Sequence, residues 1–144
     1  VRLDVLLVED NAGDARLTLE IFRDANESVR LHLASDGVEA MAFLRREGSN
    51  ALAPRPALIL LDLNLPRMDG REVLAKVKGD AELRTIPIVI FTTSDAEPDI
   101  TKSYQLQANC YLTKPVRLEE FENLVKSVND FWLTKVKLPN VAKT

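Results

Sequence analysis

Five polar residues sit where apolar runs stop. Glu9 and Asp10 close VLLVED, Asp62 follows LILL in LILLDLNLPRMDG, Thr92 ends IVIFT, and Lys114 stands in CYLTKP. Two adjacent acids at the end of an apolar run repel each other, and a third brought close raises their pKa values or demands a cation. Carboxylate oxygens are hard ligands, so the matching ion is a hard divalent one. Mg2+, which accepts oxygen donors and keeps several waters, is the expectation. A lysine at the same point adds a compact positive charge, and a threonine hydroxyl adds a hydrogen-bond donor. Taken singly, each residue also has an ordinary explanation: a solvated strand end, a turn residue or a surface lysine. The chemistry therefore depends on whether the fold brings the five together.

The elements that would position them are legible as period and length. Apolar runs at residues 3–8, 57–61 and 86–91 have the β-branched content of strands buried on both faces, and weaker runs lie at 29–34 and 110–112. Helical stripes fall between them. They comprise Leu17, Ile21, Phe22 and Ala25; then Val38, Met41, Ala42 and Leu44, ending near Gly48; then Val73, Leu74 and Val77, followed by Gly79. Residues 97–107 form a weaker helix anchored by Ile100, Tyr104 and Leu106, and a long last one carries Leu118, Phe121, Leu124, Val125 and Val128. Residues 46–56 read as a loop by their Gly, Ser, Asn and prolines. Strand–helix alternation along the chain implies right-handed crossovers and a five-stranded parallel sheet. Ligands of such sheets gather outside the carboxyl ends of the strands. With strand order 2-1-3-4-5, the first and third strands are neighbours, and Glu9, Asp10 and Asp62 share one pocket at the edge that also carries Thr92 and Lys114.

The ordered set (ED after the first strand, D followed by NLPRMDG, T after the fourth strand, KP after the fifth) resembles a response-regulator receiver domain of the CheY-like superfamily, over residues 3–130. That resemblance implies a flavodoxin-like three-layer α/β sandwich with five helices. It implies Mg2+-dependent phosphorylation of Asp62 by a histidine kinase or a histidine phosphotransfer protein. Chemistry agrees, since an aspartyl phosphate needs a carboxylate nucleophile, a metal and a cation for developing charge. The resemblance gives Asp10 as a direct Mg2+ ligand, Glu9 as a direct or water-mediated one, and Asn64 as a ligand through its backbone carbonyl. Lys114 and Thr92 then face the phosphoryl oxygens, and Tyr111 is the aromatic that turns inward when the Thr92 hydroxyl moves. Pro66 and Gly70 shape the loop after Asp62, with Gly70 supplying backbone freedom where the third helix begins, and the resemblance makes Lys114–Pro115 a candidate cis peptide, with the trans form left open. Asn64 and Ser94 flank the path of an attacking water and would tune loss of the phosphoryl group. His32 reads as an ordinary strand residue, and Cys110 as a small core filler.

The chain has 144 residues, 46% hydrophobic and 28% charged, which suits one soluble domain with a real core. Its formal net charge of −3 argues against a polyanion-binding surface, so no nucleic-acid partner is expected. One cysteine permits no intrachain disulfide, no apolar run approaches membrane-span length, and no secretory leader opens the chain, so the expected location is the cytoplasm. The expected division is a receiver domain at 1–130 and a C-terminal extension or tail at 131–144. The long loop at 46–56 and the ending NDFWLTKVKLPN resemble the small single-domain regulators that partner phytochrome-type histidine kinases. Phe131, Trp132, Leu133, Val136 and Leu138 exceed what one core-facing stripe needs, so a homodimer through the fourth helix, fifth strand, fifth helix and extension is expected. An enzyme of another class, a Mg2+-dependent aspartyl-phosphate hydrolase of haloacid dehalogenase type, is the competing expectation. It requires an acid two residues after the nucleophile, and Asn64 occupies that position.

Overall fold

Side chains alternate across a strand, so an apolar strand buried on both faces feeds two cores. The computed structural model, which describes residues 2–139, is organised this way. In order, β1 is Leu3–Val8, α1 Ala12–Ala25, β2 Val29–Ala34, α2 Gly37–Arg45, β3 Leu58–Leu61, α3 Gly70–Lys78, β4 Ile88–Thr92, α4 Glu97–Gln105, β5 Cys110–Thr113 and α5 Leu118–Asp130. The strands are all parallel, in the order β2-β1-β3-β4-β5. This is the flavodoxin-like arrangement expected from the sequence. Leu6, Val8, Ile59, Leu61, Ile88 and Ile90 point to the side covered by α2 and α3. Val5, Leu7, Leu58, Leu60, Val89 and Phe91 point to the side covered by α1 and α5. Each fully buried aliphatic contributes about 1.5–3 kcal/mol relative to exposure, so these two layers dominate the stability.

Local chemistry sets the element ends. The side chains of Asn11, Asp36 and Asp69 accept from the backbone N–H of Asp14, Glu39 and Arg71, which caps α1, α2 and α3. β4 begins two residues later than the apolar run, because Pro87 has no N–H for the ladder; its carbonyl instead accepts from Ile59 N at 3.0 Å. α2 stops at Arg45 rather than near Gly48, since Arg46 already takes the left-handed conformation (φ 57°) as its cap. α4 ends before Gln107, whose φ of 78° cannot continue a helix. It buries only Ser103, which leaves it the most lightly packed of the helices. The loop at 46–56 contains one short 3-10 turn, Gly48–Asn50.

α5 runs directly into a wider turn, Phe131–Lys135, with Leu133 buried in the α1/α5 core and Trp132 and Leu138 packed against it. Much of the apolar surplus expected at the C-terminus is thus taken up by the chain's own core, and Phe131, 54% exposed, is the large side chain left outward. Residues 140–144 of the expected tail lie outside the described residues. No peptide bond among the described residues is cis, so the candidate cis bond at Lys114–Pro115 is trans. The trans form of an X–Pro bond is favoured by about 0.5–1 kcal/mol, and just before the proline the Lys114 N–H extends the β4–β5 ladder by bonding the Thr92 carbonyl at 2.6 Å.

Candidate functional site

β1 and β3 lie side by side, with Val8 paired to Leu61, so the residues that follow them emerge together. One carboxylate oxygen from each of Glu9, Asp10 and Asp62 lies within 4.8 Å of the others, with Glu9 and Asp62 buried and Asp10 exposed. Three hard oxygen donors at that spacing fit a small divalent cation whose remaining positions are filled by water. Thr92 ends β4 on the far side of β3, and its Oγ1 donates to Asp62 Oδ1 at 2.7 Å. Lys114 follows β5, yet its Nζ lies over the Phe91 ring, 5.8 Å from the centroid, and reaches Asp62 Oδ2 at 3.0 Å, Asp14 Oδ2 at 2.9 Å and Glu9 Oε1. The Asn64 N–H donates to Asp62 Oδ1 at 3.2 Å. All five residues singled out by chemistry share one pocket.

The electrostatics assign unequal states to the acids. Burial pushes the Glu9 carboxyl up to about 7, against the pull of the Lys114 ammonium and with Asp62 adding to the rise. Burial also acts to raise Asp62, but the Thr92 hydroxyl and the Lys114 charge outweigh it and hold Asp62 below the usual carboxylate range. Desolvation acts to lower Lys114, and its bonds to Glu9 and Asp14 more than reverse this, so the ammonium is held above the ordinary lysine range. Asp62 is therefore ionised at neutral pH, with one oxygen on a hydroxyl and the other on an ammonium.

The loop after Asp62 is clamped. A β-carbon on Gly70 would lie 2.1 Å from the Asp62 carbonyl oxygen, and one on Gly37 would lie 2.2 Å from that of Met68. Gly70 is thus required by close approach, not by the backbone freedom expected of it, since its φ is not in the left-handed range. Pro66 opens a tight turn in which Met68 N bonds the Pro66 carbonyl at 2.8 Å, leaving Arg67 at a φ of 63°. Arg67 Nε donates to Asp36 Oδ2 at 2.7 Å and ties that turn to the start of α2. Pro115 lies in the turn that follows β5.

Tyr111 is half-buried on β5, and its hydroxyl donates to the Ser94 carbonyl at 2.8 Å. The Ser94 hydroxyl is turned to Asp99 Oδ2 at 2.6 Å, and Arg71 of α3 holds the other Asp99 oxygen at 2.7 Å. His32 lies off the pocket, paired with Asp4 at 2.9 Å and packed on Phe43. Cys110 is half-buried, and burial pushes its thiol up, which makes it a poor nucleophile.

Sequence reasoning missed Asp14, Gly37, Asp36 with Arg67, and the Arg71–Asp99 bridge. Asp14 carried a readable signal, since an acid three residues after an Asn cap sits in the first helical turn beside the pocket. The other three arise from tertiary approach and have no local pattern.

Residues 5–126 match the family described as the response regulator receiver domain. The chain is 47% identical to the response regulator Rcp1 of Synechocystis sp., over 94% of this chain and 92% of that one. Among solved structures it resembles the phosphorylated cyanobacterial phytochrome response regulator RcpA, with 47% identity, a TM-score of 0.94 and coverage of 96% of this chain and 99% of that one. The Mn2+-bound form of Rcp1 is also similar, at 47% identity and a TM-score of 0.92, with 95% and 99% covered. The hydrolase alternative finds no support in either the family match or the residue at position 64. With five parallel strands in this order, the acids at the β1/β3 edge and a family match spanning most of its length, the chain belongs to the response regulator receiver domain family.

Proposed function

We propose that the chain is a phosphorylation-switched signalling module, with Asp62 taking a phosphoryl group from a histidine kinase of phytochrome type or from a histidine phosphotransfer protein. The observation that carries this is the setting of Asp62: buried, with one oxygen on the Thr92 hydroxyl and the other on the Lys114 ammonium, beside two further acids. One Asp62 oxygen attacks phosphorus as the bond from phosphorus to the donor histidine nitrogen breaks; the donor ring, protonated on its other nitrogen, keeps the electron pair and leaves as neutral imidazole, and an acyl phosphate forms. Lys114 places its ammonium on the phosphoryl oxygens, and the Thr92 hydroxyl leaves Asp62 to bond one of them. Asp10, Asp62 and the Asn64 carbonyl, with Glu9 directly or through water, would hold Mg2+, which supplies positive charge to the phosphoryl oxygens when bound. Asn64 and Ser94 border the approach of water and set how fast the phosphoryl group is lost.

Displacement of the Thr92 hydroxyl opens space toward which Tyr111, bonded to the Ser94 carbonyl of the neighbouring loop, turns, and this alters the face of α4, β5 and α5. The light packing of α4 supports that face as the part that moves. Likeness to the phosphorylated cyanobacterial phytochrome response regulator RcpA at 47% identity supports the choice of kinase. Among the described residues no helix is long and apolar enough to cross a membrane, and a cytoplasmic site is the proposed location. The test is phosphotransfer from a radiolabelled phytochrome-type histidine kinase. Label should leave the kinase for this chain only with divalent metal present, and label that stays on the kinase while a control receiver drains it would overturn the pairing.

The same face supports a homodimer through α4, β5, α5 and the extension. Cys110, Leu112, Leu124, Val128, Phe131 and Trp132 line an apolar groove of about 330 Å3 beside the edge strand β5, and Phe131 stands exposed at its rim. Phe131→Ser should shift sedimentation from dimer to monomer while Asp62 still takes phosphate. Monomeric wild type at high concentration would contradict the pairing.

A further inference from the structure

Asp14 is the one carboxylate at the pocket that the proposed phosphoryl transfer does not use. The Lys114 ammonium has three N–H donors and three carboxylate partners, Glu9, Asp62 at 3.0 Å and Asp14 at 2.9 Å. Glu9 and Asp62 belong with Asp10 to the cluster that fits a cation, and Asp14 does not. Of these three partners, Asp14 alone is not shared with the metal and phosphoryl chemistry. Its backbone is fixed from both sides: its N–H bonds the Asn11 side chain at 2.9 Å, and its carbonyl accepts from Thr18 Oγ1 at 2.8 Å. The helix cap uses that N–H and leaves the Asp14 carboxylate to Lys114.

We infer that Asp14 is a positioning residue that retains the Lys114 ammonium at the rim of the pocket when Glu9 and Asp62 are engaged elsewhere. The inference rests on the phosphoacceptor reading. A lysine is a strongly hydrated charge on a flexible four-carbon stem, and without a partner outside the reacting cluster it would lose its aim. With Asp14 as tether, Nζ stays within reach of the incoming phosphoryl oxygens, and less ordering is left for the moment of reaction. An acid in a first turn also interacts favourably with the helix dipole, but that role places no demand on Lys114.

The test uses the full chain with Asp14→Asn and Asp14→Glu. In metal-free protein, the Lys114 ammonium should give a proton–nitrogen NMR signal shielded from solvent exchange. Replacing the carboxylate by a neutral amide weakens this ion pair, so Asp14→Asn should speed that exchange about tenfold, and Asp14→Glu should restore most of the protection. With Mg2+ and acetyl phosphate, Asp14→Asn should lower the maximal phosphorylation rate about tenfold and leave half-saturation by acetyl phosphate within about twofold. Unchanged ammonium exchange in Asp14→Asn, or a rate loss that Asp14→Glu does not repair, overturns the inference. If wild type takes no phosphoryl group, the phosphoacceptor reading fails, and ammonium exchange alone decides whether Asp14 holds Lys114.

Discussion

The Thr92 hydroxyl donates to Oδ1 of Asp62 across 2.7 Å, with both side chains buried. That bond helps hold Asp62 ionised, and it is the contact that must break if the hydroxyl is to follow a phosphoryl oxygen. Thr92→Ala removes the messenger while leaving Lys114 on the other oxygen. The variant should still accept a phosphoryl group and lose the phosphorylation-dependent shift of the Tyr111 ring signals. A full shift in the variant would mean that the signal leaves the pocket by another route.

Gly70 offers a test of the scaffold. A methyl there would meet the Asp62 carbonyl oxygen at 2.1 Å and the Leu63 Cα at 2.7 Å, and neither is a side chain that can swing aside. Gly70→Ala should cost about 1–3 kcal/mol or more in urea unfolding and slow phosphorylation by displacing Asp62. Gly48 has nothing within 4 Å and a φ of 57°, so Gly48→Ala should cost only about 1 kcal/mol, from backbone strain. Equal losses at the two positions would contradict close approach as the reason for Gly70.

The expectation for Gly70 shows where sequence reading stops. The order of the strands, the helix stripes and the convergence of Glu9, Asp10, Asp62, Thr92 and Lys114 were all readable, because period, β-branching and the strand-end rule are local or topological. That Gly70 lies against the Asp62 backbone, or Gly37 against Met68, depends on how closely two segments pack, and no local pattern encodes it. Arg67 and Asp36 are 31 residues apart and joined only by the finished fold. The C-terminal apolar residues were misjudged for a related reason. They were expected to exceed one core-facing stripe, and the wide turn Phe131–Lys135 instead brings Leu133 into the core.

The pair Asp36–Arg67 makes a pH prediction. Burial acts to raise the Asp36 carboxyl, but the Arg67 guanidinium and the Glu39 N–H outweigh it and hold it below the usual range. A folded pKa below the unfolded value of about 3.9 means that this stability is present above about pH 4 and is lost as pH falls through the folded pKa. Asn also caps helices, so Asp36→Asn removes the charge and keeps the cap. Acid unfolding of Asp36→Asn should be flatter below about pH 4 than that of wild type. Parallel acid limbs would remove the pair from the stability argument.

Arg71 joins α3 to α4 through Asp99, and Asp99 also holds the Ser94 hydroxyl. Because α4 buries only Ser103, that bridge carries much of its attachment. Arg71→Ala should speed amide exchange along residues 97–105 and leave acceptance of phosphate by Asp62 intact. Protection of α4 at the wild-type level would show that the bridge is idle.

The central claim is that Asp62 accepts the phosphoryl group. Intact-mass measurement after incubation with acetyl phosphate and Mg2+, followed by borohydride trapping and peptide mapping, tests it most directly. The expected result is a single phosphoryl group on the peptide containing Asp62, absent without divalent metal and absent in Asp62→Asn. Equal labelling of Asp62→Asn, mapped to another residue, would contradict the claim.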